Sequence, residues 1–294
     1  MFYPLRESYI PGRIPRREWA DAPRDAQRNY FMKKQIIAAQ LYTLRDFTAD
    51  VKDLTTTFAK LKKIGYDYAQ ISGIRAQISA ADLRKIMVDA GVEPIGAHIG
   101  LDAWRNNFKE TIADCHAWEI KYAAIPWLNW NEYKDYSVAD WKKLFREFDS
   151  LAKKALKEGI ILQYHNHDFE FNQFGIKNGK GGKTILEILF ETCKVLQGEP
   201  DFGWVMRGGM DPVLWAEHMA GRMDQVHFKD WGLIGGEFCF RSIGEGRINW
   251  PAVIKACKKG GTHTFIVEQD TCKATNDPFR SLQISREYLA KLGY

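Results

Sequence analysis

The sequence has no apolar run approaching the roughly 18 residues that a membrane-spanning helix needs, so no membrane association of that kind is expected. It has no C-x-x-C pair. Its five cysteines (Cys115, Cys193, Cys239, Cys257 and Cys272) are odd in number and widely spaced. That argues against a disulfide framework or a structural zinc site and fits a reducing compartment, the cytoplasm being the expected location. The opening residues MFYPLRESYIPGRIPRREW contain no apolar stretch of the kind a secretory leader carries, so none is expected. Low-complexity tracts and internal repeats are missing too. Charge of one sign is scarce: the chain is net +5, and residues 1–34, with eight Lys/Arg against four acids, hold +4 of it. The remaining 260 residues carry only +1, too little for a face that grips nucleic acid through its phosphates, and no nucleic-acid partner is expected.

What is present begins with residues 1–34, rich in Pro, Arg and aromatics and without a sustained period. They read as an extended N-terminal arm. The arm is either a solvated tail or a segment that packs on a neighbouring subunit; its apolar anchors (Phe2, Tyr3, Tyr9, Ile10, Trp19, Tyr30 and Phe31) suit the second, and a homo-oligomer is expected. From residue 35 short apolar runs alternate with amphipathic stretches. The runs are QIIAAQLYT (35–43), YDYAQIS (66–72), VEPIGAHIG (92–100), YAAIPWL (122–128), IILQYHNH (160–167), DFGWVM (201–206), MDQVHFKD (223–230) and HTFIVEQD (263–270). The helical stretches between them are punctuated. Ser79 and Ser137 stand at N-cap positions, Gly91 and Gly159 close the same two helices, Asp211-Pro212 and Asp277-Pro278 open two more, and Asn249 precedes WPAVIKACKKGG. Eight strands alternating with eight helices over about 250 residues predict a (β/α)₈ TIM barrel at 35–294, with the arm at 1–34 outside it. A doubly wound open sheet is the alternative, weakened because no G-x-G-x-x-G follows the first strand. GIKNGKGGK (175–183) reads as a loop after the fifth strand, and GEGR (244–247) as a turn rather than a phosphate cradle.

Functional side chains of such barrels come from the C-terminal ends of several strands. Polar residues gather at that end of seven runs: Gln40, Thr43 and Arg45; Gln70; His98; His165, His167 and Glu170; Asp201; His227, Lys229 and Asp230; and Glu268, Gln269 and Asp270. Asp201, His227 and Glu268 belong to three neighbouring strands. With a fourth donor from the fifth strand they would make a divalent-cation site of mixed carboxylate and imidazole character, open to Mn²⁺, Mg²⁺, Co²⁺, Zn²⁺ or Fe²⁺. His165 and His167, two apart on a strand, face the same way, with His165 the deeper. His98 is a structural or a substrate-facing histidine. Trp127 and Trp204 are core aromatics or sugar-stacking platforms. Arg207 and Arg241 are surface charges or hydroxyl and anion binders.

The segments AAQLYTLRD (38–46), GAHIG (96–100), YHNHDFEF (164–171), VMRGGMDPVLW (205–215), GRMDQVHFKD (221–230), IGEGRINW (243–250) and FIVEQD (265–270) together resemble the sugar phosphate isomerase/epimerase family of xylose isomerase-like barrels. The likeness spans about residues 35–294. It implies a divalent metal, Mn²⁺ first among the candidates, held at the barrel mouth by Glu, Asp, His and Glu from the fifth to eighth strands. Carried over by position, Asp201, His227 and Glu268 are three of these ligands. Three departures stand out: His165 occupies the fifth-strand Glu position, Trp204 the place of a His that follows the Asp by three, and Gln70 a second-strand acid. The implied ligand set is His165–Asp201–His227–Glu268, with Glu170 as the other source of a carboxylate.

The implied activity is isomerisation or epimerisation of a small sugar or keto-sugar by proton abstraction next to a carbonyl. Glu268 or Glu170 is the expected base. His167 and Lys229 are the expected acids or orienting groups. His98, Trp127, Trp204, Arg207 and Arg241 are the expected substrate contacts. Lyase, dehydratase or hydratase action on a keto-sugar, keto-inositol or 3-keto-glycoside is the alternative outcome. A non-catalytic sugar-binding barrel and an abasic-site endonuclease stand further off.

Overall fold

In the computed structural model, residues 35–174 and 182–294 are described. The arm at 1–34 and most of the 175–183 loop lie outside the described residues. Eight parallel strands form the barrel: β1 (Ile36–Gln40), β2 (Tyr68–Ile71), β3 (Glu93–His98), β4 (Tyr122–Ile125), β5 (Ile161–His165), β8 (Gln197–Glu199), β9 (Gln225–Phe228) and β12 (Thr264–Val267). They run in the order β8-β5-β4-β3-β2-β1-β12-β9. The seam between β8 and β9 is closed by a parallel bridge between Asp201 and His227, with the His227 N–H donating to Pro200 O at 2.8 Å. Two short antiparallel pairs decorate the mouth: β6 (Gln173–Phe174) with β7 (Lys183–Thr184), and β10 (Asp230–Ile234) with β11 (Glu237–Arg241).

The helices between strands start where the sequence punctuates them. They are α1 (Val51–Ile64), α2 (Ala80–Asp89), α3 (Leu101–Asn106), α4 (Phe108–Ala117), α5 (Trp130–Tyr133), α6 (Val138–Lys157), α7 (Ile185–Thr192), α8 (Phe202–Arg207), α9 (Pro212–His218), α10 (Trp250–Gly260) and α11 (Pro278–Lys291). Ser79 caps α2, and Ser137 forms a reciprocal capping box with Asp140 on α6. Asp211 and Asp277 cap α9 and α11 ahead of their first-turn prolines. Each such cap contributes about 1 kcal/mol. Gly65, at φ 106°, ends α1 in a left-handed turn that a side chain would strain.

Strand alternation sorts the two faces. Ala39, Ala69, Ala97, Ala123, Leu162, Val226 and Phe265 face outward into one buried apolar layer with helix residues such as Leu54, Phe58, Trp141 and Phe148. The inward positions, by contrast, carry Gln40, Gln70, His98, Gln163, His165, Gln225 and His227, nearly all buried. Stabilisation by apolar burial therefore comes mainly from the layer between strands and helices, and the barrel interior is left polar.

The sixth strand departs from the sequence reading. DFGWVM is not extended: Phe202–Arg207 is helical, and the strand is the three-residue QGE that precedes it. Asp201 is the reason. Its Oδ1 accepts from the N–H groups of Gly203 (2.8 Å) and Trp204 (3.1 Å), which starts the helix there. Gly203 is required by a close approach, since a Cβ there would stand 2.5 Å from the Lys229 carbonyl oxygen.

All five cysteines are free. Among the described residues no helix is long and apolar enough to cross a membrane.

Candidate functional site

The C-terminal ends of β1, β2, β3, β5, β8, β9 and β12 converge on one buried polar cluster. Its centre is Glu199, the last residue of β8. Glu199 Oε1 accepts from Gln70 Nε2 at 2.6 Å, and Oε2 lies 2.8 Å from His98 Nε2, 3.3 Å from His227 Nε2 and 3.8 Å from His165 Nδ1. Gln40 Nε2 donates to Gln70 Oε1 at 2.6 Å, and that oxygen also sits 2.8 Å from His227 Nε2. Burial works against the Glu199 carboxylate, but His227 and His98 outweigh it and bring the pKa down to about 2.

A second group of charges sits at the mouth. His227 Nδ1 is 2.7 Å from Glu268 Oε2. Lys229 Nζ, wholly enclosed, is 2.9 Å from Asp201 Oδ2, 3.1 Å from Glu268 Oε2 and 3.0 Å from Asp270 Oδ2. Burial disfavours both cations. The surrounding carboxylates prevail, raising His227 to about 10, through Glu199 first, and raising Lys229 as well, through Asp201 first. Burial lifts Asp201 to about 6 in spite of Lys229, whereas Lys229 and His227 overcome burial at Glu268 and hold it well below the usual carboxylate range. The cluster thus has four carboxylates (Glu199, Asp201, Glu268 and Asp270) against two cations, Lys229 and protonated His227.

His165 lies between the two groups, its ring centre 4.4 Å from that of His227 and 4.8 Å from that of His98. Burial first, then the neighbouring histidines and Lys229, push its pKa well below the ordinary value, so it is a neutral imidazole. Its Nδ1 is buried and makes no hydrogen bond.

The residues expected as ligands come together: one donor atom each from His165, Asp201, His227 and Glu268 lie within 4.8 Å of one another, and all four residues are buried. Two carboxylates and two imidazoles form a donor set that suits a divalent cation, and a 2+ charge would balance the surplus of carboxylates. His165 Nε2 faces Asp201 Oδ2 at 3.9 Å, in keeping with the same reading.

The other expected residues divide. Lys229 and His98 are in the cluster. Trp204 and Phe240 put their rings 5.1 and 5.7 Å from Lys229 Nζ. His167 is next to the cluster, its ring 5.1 Å from Trp204 and 5.4 Å from His165, and burial brings its pKa down to about 3. Trp127 stands 52% exposed just beyond β4. Arg207 is turned to Asp168 at 2.8 Å and to the Phe238 ring, and Arg241 lies 3.6 Å from Glu245. Glu170 is not brought in: its carboxylate accepts from Tyr164 Oη at 2.6 Å and from the His167 N–H at 2.8 Å. Asp230 makes no rim pair with Lys229. It accepts from the N–H groups of Gly244, Gly246, Arg247 and Ile248 and from Trp250 Nε1, so the GEGR turn is folded around the chain's own carboxylate.

Sequence reasoning missed Glu199, because the sixth strand is set too late by the apolar run at 201–206. A signal existed: Glu199 precedes Pro200, a position biased toward extended backbone, and lies two residues before Asp201.

A buried ring of imidazoles and carboxylates at the C-terminal end of a (β/α)₈ barrel defines the class: an enzyme-like barrel with its site at the mouth. The chain belongs to the xylose isomerase-like TIM barrel family, whose model matches residues 58–292. No curated protein matches it. Among solved structures it is similar to a sugar phosphate isomerase/epimerase from Parabacteroides distasonis ATCC 8503, at 23% identity over 87% of this chain and 93% of that one, with a TM-score of 0.71. It is also similar to the probable 3-DHS dehydratase AsbF from Bacillus anthracis, at 13% identity over 87% and 98%, TM-score 0.63. A third is the IOLI protein with a bound zinc atom, at 16% identity over 87% and 97%, TM-score 0.63. At these identities the likeness establishes the fold. The neighbours' names are mostly those of sugar isomerases and epimerases, with a dehydratase among them.

Proposed function

We propose that this protein is a divalent-metal-dependent enzyme that enolises a small sugar or keto-sugar, with isomerisation or epimerisation as the outcome. The observation that carries this reading is the convergence of His165, Asp201, His227 and Glu268 in a buried mouth cluster that has more carboxylates than cations. These four residues would hold the ion, with Mn²⁺ the first candidate and Mg²⁺, Co²⁺ and Zn²⁺ the others. When bound, a divalent cation supplies Lewis acidity to a carbonyl and its neighbouring hydroxyl, worth several kcal/mol of barrier.

The chain's own residues supply the rest. Glu268 accepts the proton from carbon, its carboxylate kept ionised by Lys229 and His227. Lys229, fixed among three carboxylates, holds positive charge beside the reacting centre, and His167, a neutral imidazole next to the cluster, orients hydroxyls. The enclosing rings of Trp204 and Phe240 keep water from Lys229. Trp127 offers an exposed face for a sugar ring.

Among the described residues the fifth strand and the turn after it bring no carboxylate into the cluster, which favours elimination as the other outcome. The fifth-strand position carries His165, and Glu170 is committed to Tyr164. A dehydratase or lyase needs one base and one acid rather than two carboxylates, and a dehydratase has this fold.

The proposed partner is a small-molecule sugar and not nucleic acid. We read residues 1–34 as an arm and 35–294 as the barrel; the apolar anchors in the sequence of the arm support a homo-oligomer, and five free cysteines support a cytoplasmic location.

Incubation of the purified protein and Mn²⁺ with a panel of keto-sugars in D₂O tests the reading. Deuterium at the carbon beside the carbonyl is expected; no incorporation with any sugar overturns it.

A further inference from the structure

Below the mouth set, a second constellation is built around Glu199. The three imidazole nitrogens that face its Oε2, His98 Nε2, His227 Nε2 and His165 Nδ1, stand 2.8, 3.3 and 3.8 Å away. A tetrahedral ion with bonds of about 2.1 Å separates its ligands by about 3.4 Å, and these three distances straddle that value. The four donor atoms lie within 4.8 Å of one another. We propose that His98, His165, Glu199 and His227 form an inner transition-metal site, distinct from the mouth site and selective for a zinc-class ion.

Three observations carry it. His165 is 2% exposed and its Nδ1, aimed toward Glu199, has no hydrogen-bond partner. A buried imidazole nitrogen without a partner is a costly arrangement that a bound ion relieves. Next, Glu199 and one of its histidines are already oriented by amides: Gln70 donates to Glu199 Oε1 at 2.6 Å, and Gln40 Nε2 lies 3.3 Å from His98 Nδ1. Such partners fix ring and carboxylate orientation at metal sites. Finally, the donor set is three nitrogens and one oxygen, which favours Zn²⁺ or Co²⁺ over Mg²⁺ or Ca²⁺.

The two sets share His165 and His227 through opposite ring nitrogens. His165 turns Nδ1 to Glu199 and Nε2 to Asp201, 3.9 Å away, and His227 turns Nε2 to Glu199 and Nδ1 to Glu268. An imidazole carries ions on both nitrogens only after losing both protons. One ion therefore occupies one position at a time. An ion at the inner position displaces the Nε2 proton of His227 to solvent and leaves Asp201 and Glu268 with Lys229. The inference stands on the geometry of four residues and does not depend on the enolising reaction.

The test uses the full chain, stripped with a chelator and titrated with Co²⁺, whose visible absorption reports tetrahedral binding, with Zn²⁺ as competitor. Wild type is expected to show the tetrahedral band. His98→Gln and Glu199→Gln are expected to weaken Co²⁺ binding by about 100-fold or more, beyond what outer-sphere changes cost, and Asp201→Asn to change it less than tenfold. The far-ultraviolet circular dichroism of each variant reports folding. An anomalous-scattering map of Zn²⁺-soaked wild-type crystals serves as the second measurement, with a peak bonded to His98 and Glu199 expected. The proposal is overturned if wild type binds neither ion, if folded His98→Gln binds Co²⁺ as wild type does, or if the anomalous peak lies between Asp201 and Glu268. Deuterium exchange tests the enolising reading separately, so either can fail while the other stands.

Discussion

Lys229 Nζ lies 2.9 Å from Asp201 Oδ2, and both side chains are shut off from solvent. The pair is one limb of a cationic hub, because Glu268 and Asp270 reach the same nitrogen. Removing one partner of a buried ion pair costs about 3–5 kcal/mol, since the remaining charge stays buried and unpaired. Lys229→Met is expected to lower stability by that amount, measured by urea unfolding in the presence of a chelator. Mn²⁺ is expected to restore part of the loss, because the abandoned carboxylates then have another cation. A Lys229→Met protein as stable as wild type without metal contradicts this account of the hub.

Glu268 is the carboxylate assigned to proton abstraction. Glu268→Gln keeps the shape and removes the base, and it is expected to slow deuterium exchange by about 100- to 10,000-fold, the usual contribution of a positioned base. Nuclear magnetic resonance of the recovered sugar reads the rate. Exchange within threefold of wild type would transfer the role to another residue.

Glu170 is fully enclosed, and burial lifts its pKa to about 7, against the hydrogen bond from Tyr164. The folded state then holds this proton more tightly than the unfolded chain, where the ordinary value is 4.5. The stability that the protonated group allows is fully present below pH 4.5 and is lost as the pH rises toward 7, by about 3 kcal/mol in all. Glu170→Gln is expected to lack this decline. Comparing the unfolding free energies of variant and wild type at pH 5 and pH 8 checks it; a difference between the two proteins that does not change with pH refutes it.

Asp230 gathers five backbone N–H groups and the Trp250 indole at the foot of the β10–β11 hairpin. Asp230→Ala leaves these donors without their acceptor at a cost of about 1–3 kcal/mol for each one that water does not reach. A loss of at least about 3 kcal/mol is expected from chemical denaturation. A loss under 1 kcal/mol would mean that the turn is held by something else.

Trp127, exposed beyond β4, is expected to act on binding alone. Trp127→Ala should raise the KM of a turned-over sugar about tenfold, equivalent to about 1.4 kcal/mol, and leave kcat and the unfolding midpoint nearly unchanged. A fall in kcat with constant KM would place this ring closer to the chemistry.

The architecture was legible because its signals are local. Ser79, Ser137, Asp211, Asn249 and Asp277 each start a helix where a short polar side chain meets the first amphipathic turn. His98, His165, His227 and Glu268 were legible because each ends an apolar run abruptly. Glu199 was not, because β8 has no apolar run: its residues are Gln, Gly and Glu, and the barrel around them, rather than their own pattern, makes them a strand. The placement of Glu170 was not legible for the opposite reason. It stands in a polar motif near the mouth, yet Tyr164 faces away from His165 and draws the carboxylate to the outer side of the sheet. Spacing along the chain does not show that partner.

Asp201 and His227 are the residues whose backbones bridge β8 to β9. The staves of this barrel thus meet at the same two residues whose side chains offer donors at the rim. Whatever grips that carboxylate and that imidazole together also spans this joint, so its occupancy would add to the closure that the bridge already provides. The His227 amide, which donates across the joint to Pro200, is the proton whose exchange with solvent reads both.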